Sequence, residues 1–153
     1  MNRDPLPTVP LTELAEKGLI PDATPPAAYV LVIDDERLIA DTLVQILRNA
    51  GYSASAEYDG ESALESANLV PPEIVIADIR LPGINGIEVG IAIADSVPDA
   101  TILLFSAQAD SVDLSEARRL GHDFPLLRKP LDPEDLLDNI RKYTTHNKIA
   151  MPR

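Results

Sequence analysis

From Tyr29 onward the chain alternates between two kinds of apolar pattern. Tyr29-Val-Leu-Val-Ile33 is a continuous apolar run, the signature of a strand covered on both faces. Ile39, Leu43, Ile46, Leu47 and Ala50 then fall at i, i+4, i+7, i+8 and i+11, one face of a helix, and Gly51 closes it. Ser53 to Glu57 predicts a weaker strand. Asp59 predicts the cap of a short helix carrying Ala63, Leu64 and Ala67. Pro71 and Pro72 break the chain before a second buried run, Ile74 to Ala77. A loop with Pro82, Gly83 and Gly86 follows, then a helix whose inner face is marked by Ile87, Ile91 and Ala94. Thr101 to Phe105 is the fourth strand. Leu114, Ala117 and Leu120 suit a helix ending at Gly121, and Leu126-Leu127 a short fifth strand. Asp132 as cap, Pro133 at the first helical position and Glu134 and Asp135 in the first turn announce a last helix, with Leu136, Leu137, Ile140 and Tyr143 inward.

Strands alternating with helices in this way imply a parallel sheet covered on both sides, joined by right-handed crossovers. Functional groups in such sheets gather at the carboxyl ends of the strands. The apolar runs stop at polar residues at those very ends. The first is followed by Asp34-Asp35, the third by Asp78, the fourth by Ser106 and the fifth, past Arg128, by Lys129. Each alone has an ordinary explanation: a helix cap for Asp34 or Asp35, a solvated loop acid for Asp78, a turn cap for Ser106, a surface lysine for Lys129. Their recurrence at four strand ends is what those explanations do not cover. Three converging carboxylates repel unless a cation joins them, and Mg²⁺ is a hard cation that takes oxygen ligands. A lysine beside them can neutralise a phosphoryl oxygen, and a carboxylate can accept a phosphoryl group. The constellation reads as a phospho-accepting aspartate, Asp78, assembled around Mg²⁺.

At these residues the chain resembles bacterial response-regulator receiver domains. The matching pieces are VLVIDDE (Val30 to Glu36), VIADIRLPGINGIE (Val75 to Glu88), ILLFSA (Ile102 to Ala107) and LLRKPLDPEDLL (Leu126 to Leu137). The resemblance spans residues 28 to 143 and implies a flavodoxin-like, doubly wound five-stranded parallel sheet in order 2-1-3-4-5 with five helices. It further implies phosphotransfer from a histidine kinase or a histidine phosphotransfer protein onto Asp78, and Mg²⁺ held by Asp34, Asp35, Asp78 and the backbone carbonyl of Arg80. Ser106 matches the family's switch hydroxyl and Lys129 the lysine that pairs with the phosphate. The Lys129-Pro130 bond resembles the family's cis-proline junction. One departure concerns the aromatic residue that the family usually carries three positions before the lysine. Leu126 stands there, with Phe124 two residues earlier.

Composition narrows the partners. The 153 residues carry a formal charge of −12, which argues against direct nucleic-acid binding through a basic footprint. With no cysteine, thiolate metal sites and disulfides are excluded, as suits a reducing cytoplasm. No run approaches the roughly 18 to 20 apolar residues of a membrane span, and no signal peptide is evident. Six prolines in residues 1–27 mark a flexible extension, with at most a short helix over Thr12 to Gly18. Residues 144–153 read as a short tail, too few for an output domain.

The expectation is a stand-alone response regulator of a two-component system that signals by contact with a downstream protein. It is not an enzyme beyond its own phosphorylation and dephosphorylation. The alternatives are an intermediate phosphotransfer relay and an Mg²⁺-dependent aspartyl-phosphate phosphatase. The latter is disfavoured because Arg80 stands where many such enzymes place an acid. A flavin carrier is disfavoured by the lack of a Gly-rich phosphate loop after Ile33. A receiver-like adaptor that is never phosphorylated is disfavoured by the retained acids, Ser106 and Lys129.

Overall fold

The computed structural model describes Glu13, Lys17, residues 28–107 and residues 114–150, with side chains through residue 144. The order is β1 (Tyr29–Ile33), α1 (Arg37–Asn49), β2 (Ser53–Glu57), α2 (Gly60–Leu69), β3 (Ile74–Asp78), α3 (Gly86–Ser96), β4 (Thr101–Ser106), α4 (Ser115–Arg119), β5 (Leu126–Arg128) and α5 (Pro133–Ala150). The strands form one parallel sheet in order β2-β1-β3-β4-β5. The doubly wound reading of the sequence is the observed architecture. Of the short helix expected over Thr12 to Gly18, only Glu13 and Lys17 are described. The Lys17 amide donates to the Glu13 carbonyl at 3.1 Å, one helical turn; the rest of that segment lies outside the described residues.

The two faces of the sheet make two cores. Leu31, Ile33, Val75, Ala77, Ile102 and Leu104 point toward α2, α3 and α4, where Ala63, Val89, Ile93 and Ala117 meet them. Val30, Val32, Ile76, Leu103 and Phe105 point toward α1 and α5, where Leu43, Leu47, Leu136 and Ile140 meet them. The period of two along each strand produces this division, and burial on both faces explains why β1, β3 and β4 read as unbroken apolar runs.

The helix faces differ in detail from the periodicity. On α1 the buried row is Ala40, Leu43, Val44 and Leu47, while Ile39 and Ile46 flank it and Ala50 is exposed at the helix end. On α3 the deepest row is Val89, Gly90 and Ile93, with Ile87, Ile91 and Ala94 half-buried beside it. Both helices carry apolar arcs wider than one stripe, so the sheet contact rather than the pattern selects the central row. Leu120, expected inside, is exposed just past α4. The last helix runs to Ala150, beyond Tyr143.

Local chemistry sets the ends of these elements. Asp59 accepts from the Ser62 amide at 2.8 Å as the cap of α2. The Asp132 carboxylate accepts from the Glu134 amide at 2.8 Å at the start of α5. Gly51 and Gly121 have φ of 97° and 88°, the left-handed turn that lets the following amides reach back to Leu47 and Ala117.

Burial gives a direct contrast to test. Leu47 is fully buried in α1, whereas Leu69 on α2 is 82% exposed. Leu47→Ala should cost about 2 to 5 kcal/mol in urea unfolding, whereas Leu69→Ala should stay within about 0.5 kcal/mol of the parent. Similar losses for the two would contradict this division into core and surface.

Candidate functional site

The parallel register brings the polar strand ends together. Ile33 of β1 is paired with Ala77 of β3, so Asp34 and Asp78 are the next rung. Asp78 is paired with Phe105 of β4, and Ser106 with Arg128 of β5. Backbone bonds carry the ladder past the strand ends. The Asp34 amide donates to the Glu57 carbonyl, the Ile79 amide to the Phe105 carbonyl and the Lys129 amide to the Ser106 carbonyl, each at 3.1 Å. Alternation then sorts the side chains. Asp34 follows the face of Val30 and Val32, Asp78 that of Ile76, and Lys129 that of Leu127, all on the α1–α5 side.

Lys129 closes the pocket. Its Nζ lies 3.0 Å from Asp34 Oδ2 and 3.0 Å from Asp78 Oδ2. It also sits 4.6 Å from the centre of the Phe105 ring, a favourable place for a cation. The second oxygen of each acid is held by backbone. Asp34 Oδ1 accepts from the Glu36 amide at 2.9 Å, and Asp78 Oδ1 from the Arg80 amide at 3.1 Å. Asp34 is thus both a local turn-former at the entry to α1, where Glu36 is the cap residue, and a member of the cluster. Carboxylate oxygens of Asp34, Asp35 and Asp78 lie within 4.8 Å of one another. Asp34 and Asp78 are 0% and 5% exposed, whereas Asp35 faces solvent.

The electrostatics follow from this enclosure. Burial pushes the Asp78 carboxyl above its ordinary value, and the hydrogen bonds from Lys129 and the Arg80 amide offset that only in part. Burial also works against the Lys129 ammonium, but its bonds to Asp34 and Asp78 outweigh it and hold its pKa above the ordinary value. Lys129 is therefore firmly charged, and Asp78 is harder to ionise than a surface aspartate. Three carboxylates against one ammonium leave a formal charge of −2, which a hard cation with oxygen ligands would relieve. The donor set, oxygens from a buried pair and an exposed third acid, suits Mg²⁺.

The structure places the other sequence-predicted residues as follows. Ser106 is buried at the end of β4, on the α4 side by alternation. Arg80 is exposed on the loop after β3 and reaches the site through its amide. Leu126 lies in β5 opposite Leu104, so it occupies the position three before Lys129. Phe124 precedes the strand, buried to 9% exposure, with its ring stacked 5.3 Å from that of His122. His122 in turn lies 3.0 Å from Asp95 of α3. Phe105, which supports Lys129, was missed as a site residue because its run of neighbours reads only as a strand; the pairing of β4 with β5 reveals it.

An apolar cleft of about 500 Å³ opens beside the pocket, between the start of α1 and the turn after β5. Leu38, Ile39, Leu43, Phe105, Lys129 and Pro130 are among its walls, and Leu38 is 81% exposed.

Fold and pocket together define a doubly wound α/β domain that presents a lysine-bridged acidic pocket at the carboxyl ends of its strands. The family model described as the response regulator receiver domain matches residues 30–141, and the chain belongs to that family. It is 34% identical over 120 residues to the DNA-binding response regulator MtrA of Mycolicibacterium paratuberculosis, covering 77% of this chain and 52% of that protein. It is 30% identical over 123 residues to the alkaline phosphatase synthesis transcriptional regulatory protein PhoP of Bacillus subtilis, covering 80% and 51%. The chain thus spans about half the length of these curated relatives, and the DNA binding in the name of MtrA is said of that protein. A CheY-like receiver domain protein from Methanospirillum hungatei superposes with a TM-score of 0.73 at 22% identity, covering 82% of this chain and 99% of that one, which shows the fold. The Vibrio cholerae chemotaxis protein CheY4 superposes at 0.70 with 27% identity, covering 76% and 98%. Receiver domains generally bind Mg²⁺ at an acidic pocket and partner with histidine kinases or phosphotransfer proteins. Among the described residues, no helix is long and apolar enough to cross a membrane.

A carboxyl whose pKa is raised by folding contributes stability that is present below its unfolded value, near 3.8, and is lost as the pH rises through the folded value. Asp78→Asn, which is close in shape and carries no charge, should therefore unfold at higher urea than the parent at neutral pH. The gap should close as the pH falls toward 3.8. A variant less stable than the parent at neutral pH would show that the Lys129 pairing outweighs the burial of the charge.

Proposed function

We propose that this receiver domain accepts a phosphoryl group on Asp78 from a histidine kinase or a histidine phosphotransfer protein and signals by protein contact. The observation that carries this reading is the Asp78 carboxylate at the end of the central strand, bridged through Lys129 to Asp34. In the transfer, the P–N bond of a phosphohistidine breaks as a P–O bond to an Asp78 carboxylate oxygen forms. The bonding pair passes to the imidazole nitrogen, and the ring, protonated on its other nitrogen, leaves neutral. Lys129 Nζ, now shared between two carboxylates, has a phosphoryl oxygen to pair with on Asp78. Ser106, next to Phe105 on the neighbouring strand, is the hydroxyl assigned to the phosphoryl group, with movement of the segment leading into α4 as the readout.

Asp34, Asp35, Asp78 and the Arg80 carbonyl would hold Mg²⁺, which when bound supplies charge neutralisation to the phosphoryl oxygens. The domain does no chemistry beyond making and losing its own acyl phosphate. A donor protein covering exposed Leu38 would seat its histidine at the mouth of the cleft that Lys129 lines.

Acetyl phosphate with Mg²⁺ should add one phosphoryl group, read by intact mass, and Asp78→Asn should remove it; equal labelling of the variant would refute the assignment. The cation site has its own check. Saturating Mg²⁺ at about 100 times its Kd should stabilise the parent by about 2.7 kcal/mol. Joint replacement of Asp34 and Asp35 by Ala should abolish that gain, and a gain of the same size in the double variant would place the ion elsewhere.

A further inference from the structure

The loop from Ile79 to Asn85 carries Arg80, whose amide holds Asp78 and whose carbonyl is assigned to the cation. This loop is pressed between β3 and α2. At its far end the Gly86 amide donates back to the Ile79 carbonyl at 2.9 Å, so the loop closes on itself. The backbone contact there is tight, because a Cβ on Gly86 would lie 2.1 Å from the Asp78 carbonyl oxygen. Asn85 and Glu88 then lock the loop to α3 by a reciprocal capping box. In the middle stands Ile84. Its side chain fills the space where the first residue of α2, Gly60, has no Cβ: a methyl placed there would lie 2.6 Å from Ile84 Cγ1 and 2.6 Å from Val89 Cγ2. One residue on, Glu61 Oε1 approaches Gly83 of the same loop, 3.8 Å from where its Cβ would be.

We propose that Ile84, seated in the notch that Gly60 leaves in the first turn of α2, is a positioning residue that holds the β3–α3 loop in its cation-binding shape. The inference rests on the function proposed above and adds to it that α2, which contributes no ligand, sets the affinity of the site. The physical ground is preorganisation. A loop whose Arg80 carbonyl must face an ion loses conformational freedom on binding unless packing has already removed it, and a half-buried isoleucine anchored against a helix does so before the ion arrives.

The experiment compares the parent with Ile84→Ala, Ile84→Val and Ile84→Leu, with two readouts. Without metal, hydrogen exchange of the Gly86 amide reports loop closure. With Mg²⁺ alone, calorimetric titration reports affinity. Ile84→Ala should lower both the Gly86 protection and the Mg²⁺ affinity by about tenfold, the size of loss typical of groups that support metal ligands. Ile84→Val, which removes a single methylene, should show a smaller loss of both and remains informative if the alanine variant does not fold. Ile84→Leu, which conserves volume, should restore both. Affinity unchanged within twofold in Ile84→Ala would overturn the proposal, as would lost affinity with unchanged Gly86 protection, or leucine failing to rescue. A parent that binds no Mg²⁺ and takes no phosphoryl group from acetyl phosphate would instead remove the underlying reading of the site.

Discussion

Everything at the carboxyl edge of this sheet depends on one half-buried ammonium shared by two buried carboxylates. Lys129 Nζ lies at 3.0 Å from both Asp34 and Asp78, and those two residues come from β1 and β3 while the lysine follows β5. Removing Lys129 would leave two buried carboxylates without their shared cation, so the lysine ties the three strand ends together by electrostatics as well as by the ladder. The arrangement is also incomplete. One ammonium does not balance Asp34, Asp35 and Asp78, and burial pushes the Asp78 carboxyl upward. An added cation would stabilise a site of that kind and leave Lys129 to pair with an anion, as the proposed phosphorylation of Asp78 requires.

The rest of the fold can be read as support for that triad. The central strand β3 is buried along its whole length, which fixes Asp78 against movement. Phe105 places an aromatic face under Lys129, and its own burial against the α5 side keeps that face still. The loop after Asp78 is short of space on both sides, at Gly86 against the β3 backbone and at Gly60 against Ile84. The part of the molecule from α4 to β5 is built differently. There the short α4, exposed Leu120 and the His122–Phe124 stack make a thinner layer over the sheet. Phe124 is already buried and braced by His122, which itself contacts Asp95, while Leu126 holds the strand position next to Leu104. An aromatic side chain at Leu126 would have a ring to move, and leucine has none.

Much of this was legible in the chain itself. Unbroken apolar runs at Val30 to Ile33 and Ile74 to Ala77 specify strands covered on both faces, because only a parallel sheet between helix layers buries both sides of a strand. A polar residue at the end of each run then marks the edge of the sheet, and Asp34, Asp78, Ser106 and Lys129 are named by that rule alone. Caps at Asp59 and Asp132 and the turn at Gly51 are equally local, since each is satisfied by backbone groups within a few residues.

What the tertiary structure alone decided involves partners distant along the chain. Which acids share Lys129 depends on strand order and register, and Asp34 and Lys129 are 95 residues apart. The role of Phe105 beneath Lys129, the central rows of α1 and α3, and the notch at Gly60 that receives Ile84 all arise where two separately encoded elements meet. Periodicity reports which side of an element is apolar, because that is a property of one segment. Contact distance, burial and the raised carboxyl of Asp78 are properties of the space between segments, and that space exists only once the sheet has closed and its two helix layers have packed.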